Sequence, residues 1–126
     1  MNKRVFSLII SIFIMVLFLT SCGSEYKKQV NEYETLFDET MLLLDSENVY
    51  ESIKENDITT NFEKLNVLLK KIRENIPQNR INDFLILKAK HDRLEEIIEN
   101  GLKWDSLGES DKRSIKNAIN RLKPKQ

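Results

Sequence analysis

Residues 60–77 read TNFEKLNVLLKKIRENIP, and this stretch decides the fold because it contains a complete helical pattern together with its end. Its apolar residues recur at alternating spacings of three and four, which places them on one face of an α-helix. Thr60 and Glu63 have the spacing of a capping box at the helix start. Pro77 disfavours helical geometry in the preceding residue, so we predict that the helix ends near Asn75. The apolar stripe consists of Phe62, Leu65, Leu69, Ile72 and Ile76.

The segment after Pro77 repeats the pattern and predicts a second helix. We expect this helix to stop at Asn100 and Gly101, because glycine readily adopts left-handed geometry after a helix. A short turn between two such helices makes them antiparallel neighbours. The stripe of the second helix consists of Phe84, Leu87, His91, Leu94 and Ile98.

Upstream, the chain from Gly23 to Ile76 contains no further glycine and no proline, and its first part predicts another amphipathic helix. This helix should break or bend near Asp45 and Ser46, where Ser46 could cap a shorter second helix. A single helix that continues to about Asn56 is the alternative. The stripe of the first helix consists of Tyr26, Val30, Tyr33, Phe37, Met41 and Leu44.

Downstream, a last helix is predicted from about Asp111 to Leu122, with Ser110 as its cap and Pro124 beyond its end. The sequence therefore predicts an all-α fold, a small up-and-down bundle of four or five helices over residues 25–123, with 124–126 as a tail. An exposed stripe would instead let the bundle dimerise or accept a helix from another protein. We expect Leu102, Trp104 and Leu107 to close one end of the core.

The N-terminus has the pattern of a secretory signal. Lys3 and Arg4 precede an uncharged apolar run, and Leu19, Thr20, Ser21 and Cys22 resemble the lipobox of bacterial lipoproteins. We predict that residues 1–21 are a cleaved signal peptide and that 22–24 are the lipidated N-terminus, with Cys22 carrying the lipid. An uncleaved membrane anchor is the alternative. Both interpretations place the helical domain on the extracytoplasmic face of the cell membrane, and two acyl chains would hold it there stably.

Composition argues against several classes of function. Without residues 1–21 the chain has 18 basic and 20 acidic residues, which disfavours a nucleic-acid partner. Its one histidine and one cysteine are too few for a structural zinc site, and no motif for nucleotide binding or hydrolysis occurs. His91 lies on an apolar stripe, so we expect a core or boundary histidine bonded to a neighbour. We predict no enzyme activity, no metal, no cofactor and no evident small-molecule substrate.

Charge is distributed unevenly along the chain. Residues 25–57 hold ten acids and three bases, whereas residues 111–126 hold six bases and one acid. The basic end either packs against the acidic start or contacts lipid headgroups, wall polymers or an acidic partner. Tyr and Trp outside the core stripes are further candidates for a partner contact. The candidate contact residues are Tyr50, Trp104, Lys112, Arg113, Lys116, Arg121 and Lys123.

The lipobox at Leu19 to Cys22, the length of 126 residues and the Lys, Glu and Asn-rich helices together resemble the YddJ-type exclusion lipoproteins of Gram-positive integrative and conjugative elements. The resemblance implies a protein on a cell that already carries the element, which blocks redundant transfer by inhibiting the incoming cognate mating machinery. Its implied partner is a membrane protein of that conjugation machinery. Only Cys22 can be matched to a functional residue of the family.

Two other functions remain open on the sequence. One is an envelope adaptor or assembly lipoprotein that supports a membrane complex of its own cell. The other is a binder of small ligands or wall polymers, which would need a pocket that a tightly packed bundle of this size rarely offers. A neighbouring set of conjugation genes would favour exclusion, and a housekeeping operon would favour the adaptor.

Overall fold

Five α-helices make up most of residues 25–125, the part of the chain that the computed structural model describes, and no strand occurs within this range. The prediction of a small all-α bundle is confirmed. Short 3-10 turns, Gln78–Arg80 and Trp104–Ser106, lie on either side of the fourth helix. The helices are α1 (residues 25–43), α2 (Val49–Glu55), α3 (Ile58–Asn75), α4 (Ile81–Leu102) and α5 (Glu109–Leu122).

One hydrophobic core joins all five helices, and most of its members come from the stripes that the spacing predicts. Tyr33 on α1, Leu65 on α3 and Leu94 on α4 have no exposed surface. The two shorter helices contribute Ile53 from α2 and Ile119 from α5, which are also buried. Because each helix buries a face against the others, the core and not helix propensity supplies most of the stability.

The chain breaks between α1 and α2 near Asp45 and Ser46, as predicted. The cap predicted at Ser46 is wrong, because Asn48 precedes α2 and makes no side-chain capping bond. Asp45 organises the turn: its carboxylate accepts hydrogen bonds from the Glu47 backbone N–H at 2.9 Å and the Asn48 side chain at 3.2 Å. These two bonds, the first being the stronger cause, hold the pKa of Asp45 below its usual value.

Helix α3 starts earlier than the sequence indicates. Its first residue is Ile58, and Thr60 and Glu63 lie inside the helix without forming a side-chain cap, so the predicted capping box is wrong. Asp57 stands at the helix start with a left-handed backbone, at a φ of 54°. This single residue reverses the chain after α2 and places Ile58, which is fully buried, in the core.

The hairpin between α3 and α4 follows the prediction. Helix α3 ends at Asn75, and Pro77 has a φ of −66° and an extended backbone at the start of the turn. The Asn75 side-chain amide donates a hydrogen bond to the Gln29 side-chain oxygen at 3.2 Å. The end of α3 therefore lies beside the beginning of α1, which makes these two helices antiparallel.

Gly101 has a different role from the predicted one. It lies inside α4, which continues to Leu102, and no described glycine has a positive φ. A Cβ at this position would overlap Cδ1 of Ile53 and lie 3.0 Å from Cγ1 of Val49. Glycine is present because α2 crosses α4 closely here, and the expected left-handed cap is wrong.

Helix α5 begins at Glu109, after Gly108, so the predicted cap at Ser110 is wrong. Its end at Leu122, before Pro124, agrees with the prediction. Trp104 and Leu107 are half-buried in the connection, but Leu102 is 39% exposed and does not close the core. Leu102 is the last residue of α4 and is not among its buried residues.

Candidate functional site

A buried polar cluster connects three helices in the middle of the core. The hydroxyl of Tyr33 lies 2.9 Å from Nδ1 of His91, and Nε2 of His91 lies 2.5 Å from the Asn66 side-chain oxygen. A neutral imidazole satisfies both bonds when Nε2 donates to Asn66 and Nδ1 accepts from Tyr33. The ring of Phe62 stacks on His91 with 4.7 Å between centroids.

Burial controls the ionisation of this cluster. It lowers the pKa of His91, and the charge of Asp92 opposes that effect. It also raises the pKa of Tyr33. Both side chains are therefore neutral at neutral pH, and their hydrogen bonds are made within the core. The prediction of a core or boundary histidine bonded to a neighbour is confirmed, and the structure places His91 in the core.

The main candidate surface lies on α5 and the connection before it. The Lys112 ammonium stands over the ring of Trp104, 5.7 Å from its centroid, in a cation–π arrangement. Arg113 and Lys116 line the same depression as these two residues, together with Glu109. Four of the seven predicted contact residues are thus brought together, with positive charge around a half-buried tryptophan.

A second depression borders the first and is richer in arginine. It is lined by Arg93 of α4 and by Arg113 and Arg121 of α5, with serine and asparagine side chains between them. Arg113 lines both depressions. Guanidinium groups bind carboxylates in two-pronged geometry, so this arrangement is suited to an acidic segment of another protein. We call these two depressions the α5 surface: Arg93, Trp104, Glu109, Ser110, Lys112, Arg113, Ser114, Lys116, Asn117, Ala118 and Arg121.

Part of the basic charge on α5 is used inside the molecule. Lys116 lies 3.6 Å from the Glu47 carboxylate in the turn after α1. The charge of Lys123 also contributes to the lowered pKa of Asp45, after the hydrogen bonds from the Glu47 backbone and the Asn48 side chain. The interpretation that the basic end packs against the acidic start therefore accounts for Lys116 and Lys123, and it does not account for Arg113 or Arg121.

Tyr50 lies apart from the α5 surface. It is on α2, is 41% exposed, and has the Lys54 ammonium 5.9 Å from its ring centroid. It lines neither of the two depressions. The structure therefore gives Tyr50 no part in the surface that gathers the other candidates.

Sequence reasoning missed Arg93, which completes the arginine-rich depression. Its carboxylate neighbour Glu96 forms an ion pair with it on the same helix. The sequence spacing could have indicated its position: Arg93 precedes the fully buried Ile97 by four residues, so the two share one side of α4. That side faces α5, which packs against α4.

The lipobox residues Leu19, Thr20 and Ser21 and the lipidation site Cys22 lie outside the described residues. In the described part of the chain, no helix combines the length and the apolar character needed to cross a bilayer. The His, Cys, Asp and Glu side chains of residues 25–125 form no cluster of three or more that could hold a metal ion.

Comparison with protein-family models, curated proteins and solved structures finds no match for this chain. The functional argument therefore depends on the residues and their geometry.

Proposed function

We propose that this protein is a lipoprotein anchored through Cys22 to the extracytoplasmic face of the cell membrane, and that it acts by protein–protein contact. A tether confines it to a thin layer and raises its effective concentration against membrane targets. Within this class we propose an exclusion factor, which blocks redundant conjugative transfer by inhibiting the incoming cognate mating machinery.

The position of the α5 surface is the observation that supports the proposal best. Residue 25, the first described residue after Cys22, starts α1, and Lys116 contacts Glu47 beyond the other end of α1. The 19 helical residues between them span about 28 Å at about 1.5 Å per residue. A protein anchored at Cys22 would thus hold much of this surface well above the lipid headgroups, where a partner can reach it.

The chemistry of the surface supports a partner of one kind. Arginine and tryptophan are the residue types that contribute most to protein interfaces, and both are present around Arg113. The matching partner is an acidic, partly apolar segment on the outer face of a membrane-spanning transfer channel. Selectivity would then come from side chains that fit one channel variant and repel another. The exclusion role itself is supported by the resemblance in the lipobox and in overall character.

A mating assay tests the proposal. Recipients that express this protein alone should show a selective fall in transfer of the cognate element, with transfer of an unrelated element unchanged. Recipients that express Cys22→Ala should lose this effect, because the tether is gone. Equal transfer of both elements would eliminate exclusion. A growth or secretion defect on deletion would then favour the envelope adaptor.

Charge reversal tests the surface separately from the anchor. Arg113→Glu changes the exposed residue shared by both depressions, and loss of an interface hot spot of about 2 kcal/mol weakens binding about 30-fold. Lys64→Glu is the matched control, since it reverses an exposed charge on α3 outside the α5 surface. We expect the first variant to lose exclusion and the second to retain it, with both chains at wild-type level in the membrane. Equal activity of the two variants would refute the role of the α5 surface.

A further inference from the structure

The first turns of α4 expose three large apolar side chains. Ile81, Leu85 and Ile86 are 46%, 53% and 59% exposed. At 100° per residue, Ile81 and Leu85 point away from the buried stripe of the same helix, whereas Ile86 lies at the edge of that stripe, about 20° from the buried Ile97. We call Ile81, Leu85 and Ile86 the α4 patch.

Ile86 is exposed because α5 covers only the later part of α4. Ile86 and Ile97 are separated by 11 residues, close to three helical turns, and so lie on nearly the same side of the helix. Ile97 has no exposed surface, whereas Ile86 is 59% exposed. Helix α5 packs against α4 near Arg93, so the apolar side continues past the point where the covering helix stops.

The α4 patch lies at the end of the bundle where the described chain begins. Tyr26 of α1 lines one cleft together with Pro77 and Arg80 from the turn before α4. The hydrogen bond from Asn75 to Gln29 places the end of α3 there too. Only two residues separate Cys22 from Glu25, and the three steps along the chain between them can span at most about 11 Å. On the proposed anchoring, the patch therefore lies near the lipid.

This end of the molecule is also basic. Residues 25–31 and 70–90 contain eight Lys or Arg and three Asp or Glu, although the chain from Glu25 onward has a slight negative charge. All eight basic side chains are exposed. Two of them take part in local ion pairs, Arg80 with Asp83 and Lys88 with Asp92. The basic residues are Lys27, Lys28, Lys70, Lys71, Arg73, Arg80, Lys88 and Lys90.

We propose that the α4 patch docks on the anionic surface of the lipid bilayer. This inference rests on the proposed anchoring at Cys22 and adds to it a defined orientation. Apolar side chains flanked by lysine and arginine are what interfacial membrane contacts require, because the apolar groups enter the headgroup boundary while the bases meet anionic lipids. Docking holds against the bilayer the end of the bundle at which α1 and α4 begin.

Tryptophan quenching in vesicles tests the contact. The mature lipidated chain has one tryptophan, Trp104, so Leu85→Trp combined with Trp104→Phe places a single probe in the patch. The probe should lose about half of its emission in phosphatidylglycerol vesicles with brominated acyl chains, because an interfacial side chain reaches their depth. Vesicles of brominated phosphatidylcholine alone should quench the probe less, because they lack the anionic headgroups that the basic residues bind. Ile86→Trp in the same background is the second variant.

Val67→Trp with Trp104→Phe is the matched control, because Val67 is 55% exposed on α3 outside the patch. Its emission should not depend on bromination. Chains that float with the vesicles but show no quenching at position 85 or 86 overturn the docking and leave the anchor standing. Equal quenching at positions 67 and 85 also overturns it, since no particular face then meets the lipid.

Two other results are distinguishable from these. Chains that do not float with the vesicles overturn both the anchor and the docking. A blue-shifted emission at position 85 that bromination does not quench, and that changes with the amount of protein per vesicle, assigns the patch to a second copy of the chain and overturns the docking.

Discussion

The hydroxyl group of Tyr33 donates the hydrogen bond that the buried Nδ1 of His91 needs. Tyr33→Phe keeps the ring and removes this donor, leaving a buried acceptor unpaired. We expect the free energy of unfolding, measured by urea denaturation, to fall by about 1–3 kcal/mol. Tyr50→Phe is the control: its side chain is 41% exposed, and the change should stay within about 0.5 kcal/mol. Equal effects would mean that the bond contributes nothing.

The same histidine makes stability depend on pH in a defined direction. Burial lowers the pKa of His91 in the folded chain, so the unfolded chain binds the proton more strongly. The contribution of His91 to stability is complete above the pKa of histidine in the unfolded chain, about 6.5, and it decreases as the pH falls below that pKa. Because the chain has one histidine, an NMR titration follows this group alone. An apparent pKa above that of a free histidine would contradict the prediction.

Gly101 allows α2 to approach α4 more closely than any other residue would. Gly101→Ala favours the helix by about 1 kcal/mol. The overlap with Cδ1 of Ile53 costs about 1–3 kcal/mol, so the net stability should fall. Ile53→Val removes the overlapping atom, and in that background Gly101→Ala should cost about 1 kcal/mol less. A double-mutant cycle in urea measures the difference. Additive effects would show that the close approach is not the cause.

At the scale of elements, the junction between α2 and α3 depends on the left-handed backbone of Asp57. Glycine adopts this geometry without strain, so Asp57→Gly should raise the free energy of unfolding by up to about 1 kcal/mol, and Asp57→Val should lower it. Glu63→Gly serves as the control, since Glu63 is exposed inside α3 and glycine inside a helix costs about 0.5–1 kcal/mol. A stability loss in Asp57→Gly would indicate that the carboxylate stabilises the junction.

The helices were predictable from the sequence, but the starts of several of them were not. Pro77 and Pro124 act on the neighbouring backbone alone, so the ends of α3 and α5 follow from the sequence. The predicted caps at Ser46, Thr60 and Ser110 failed because tertiary packing fixes those helix starts. Asp57 shows the reason: its left-handed turn is useful only because Ile58 must enter the core.

The candidate surface was predictable only where its residues are close in sequence. Trp104 and the bases of α5 are close in sequence, so their proximity follows from one helix and the turn before it. Arg93 comes from another helix, and only the packing of α4 on α5 brings it next to Arg113. Tyr50 was chosen by residue type alone, and the geometry places it elsewhere.

At the scale of the whole molecule, a single core that includes all five helices predicts cooperative unfolding. Trp104 reports on the connection between α4 and α5, and far-UV circular dichroism reports on all the helices. We expect the two signals to give the same urea midpoint. An earlier transition of the tryptophan would show that α5 separates before the rest of the bundle unfolds.

The bonds between Tyr33, His91 and Asn66 also bear on how the chain avoids folding in a shifted arrangement. A slip of one turn between two apolar stripes, about 5.4 Å, preserves most hydrophobic contacts but leaves these polar groups buried without partners. The cluster therefore selects one alignment of α1, α3 and α4. The cluster does not prevent domain swapping, because an α1 that packs on a second copy of the chain would form the same hydrogen bonds there. The turn between α1 and α2, and not the core, must then decide that α1 packs within its own chain and not on a second copy.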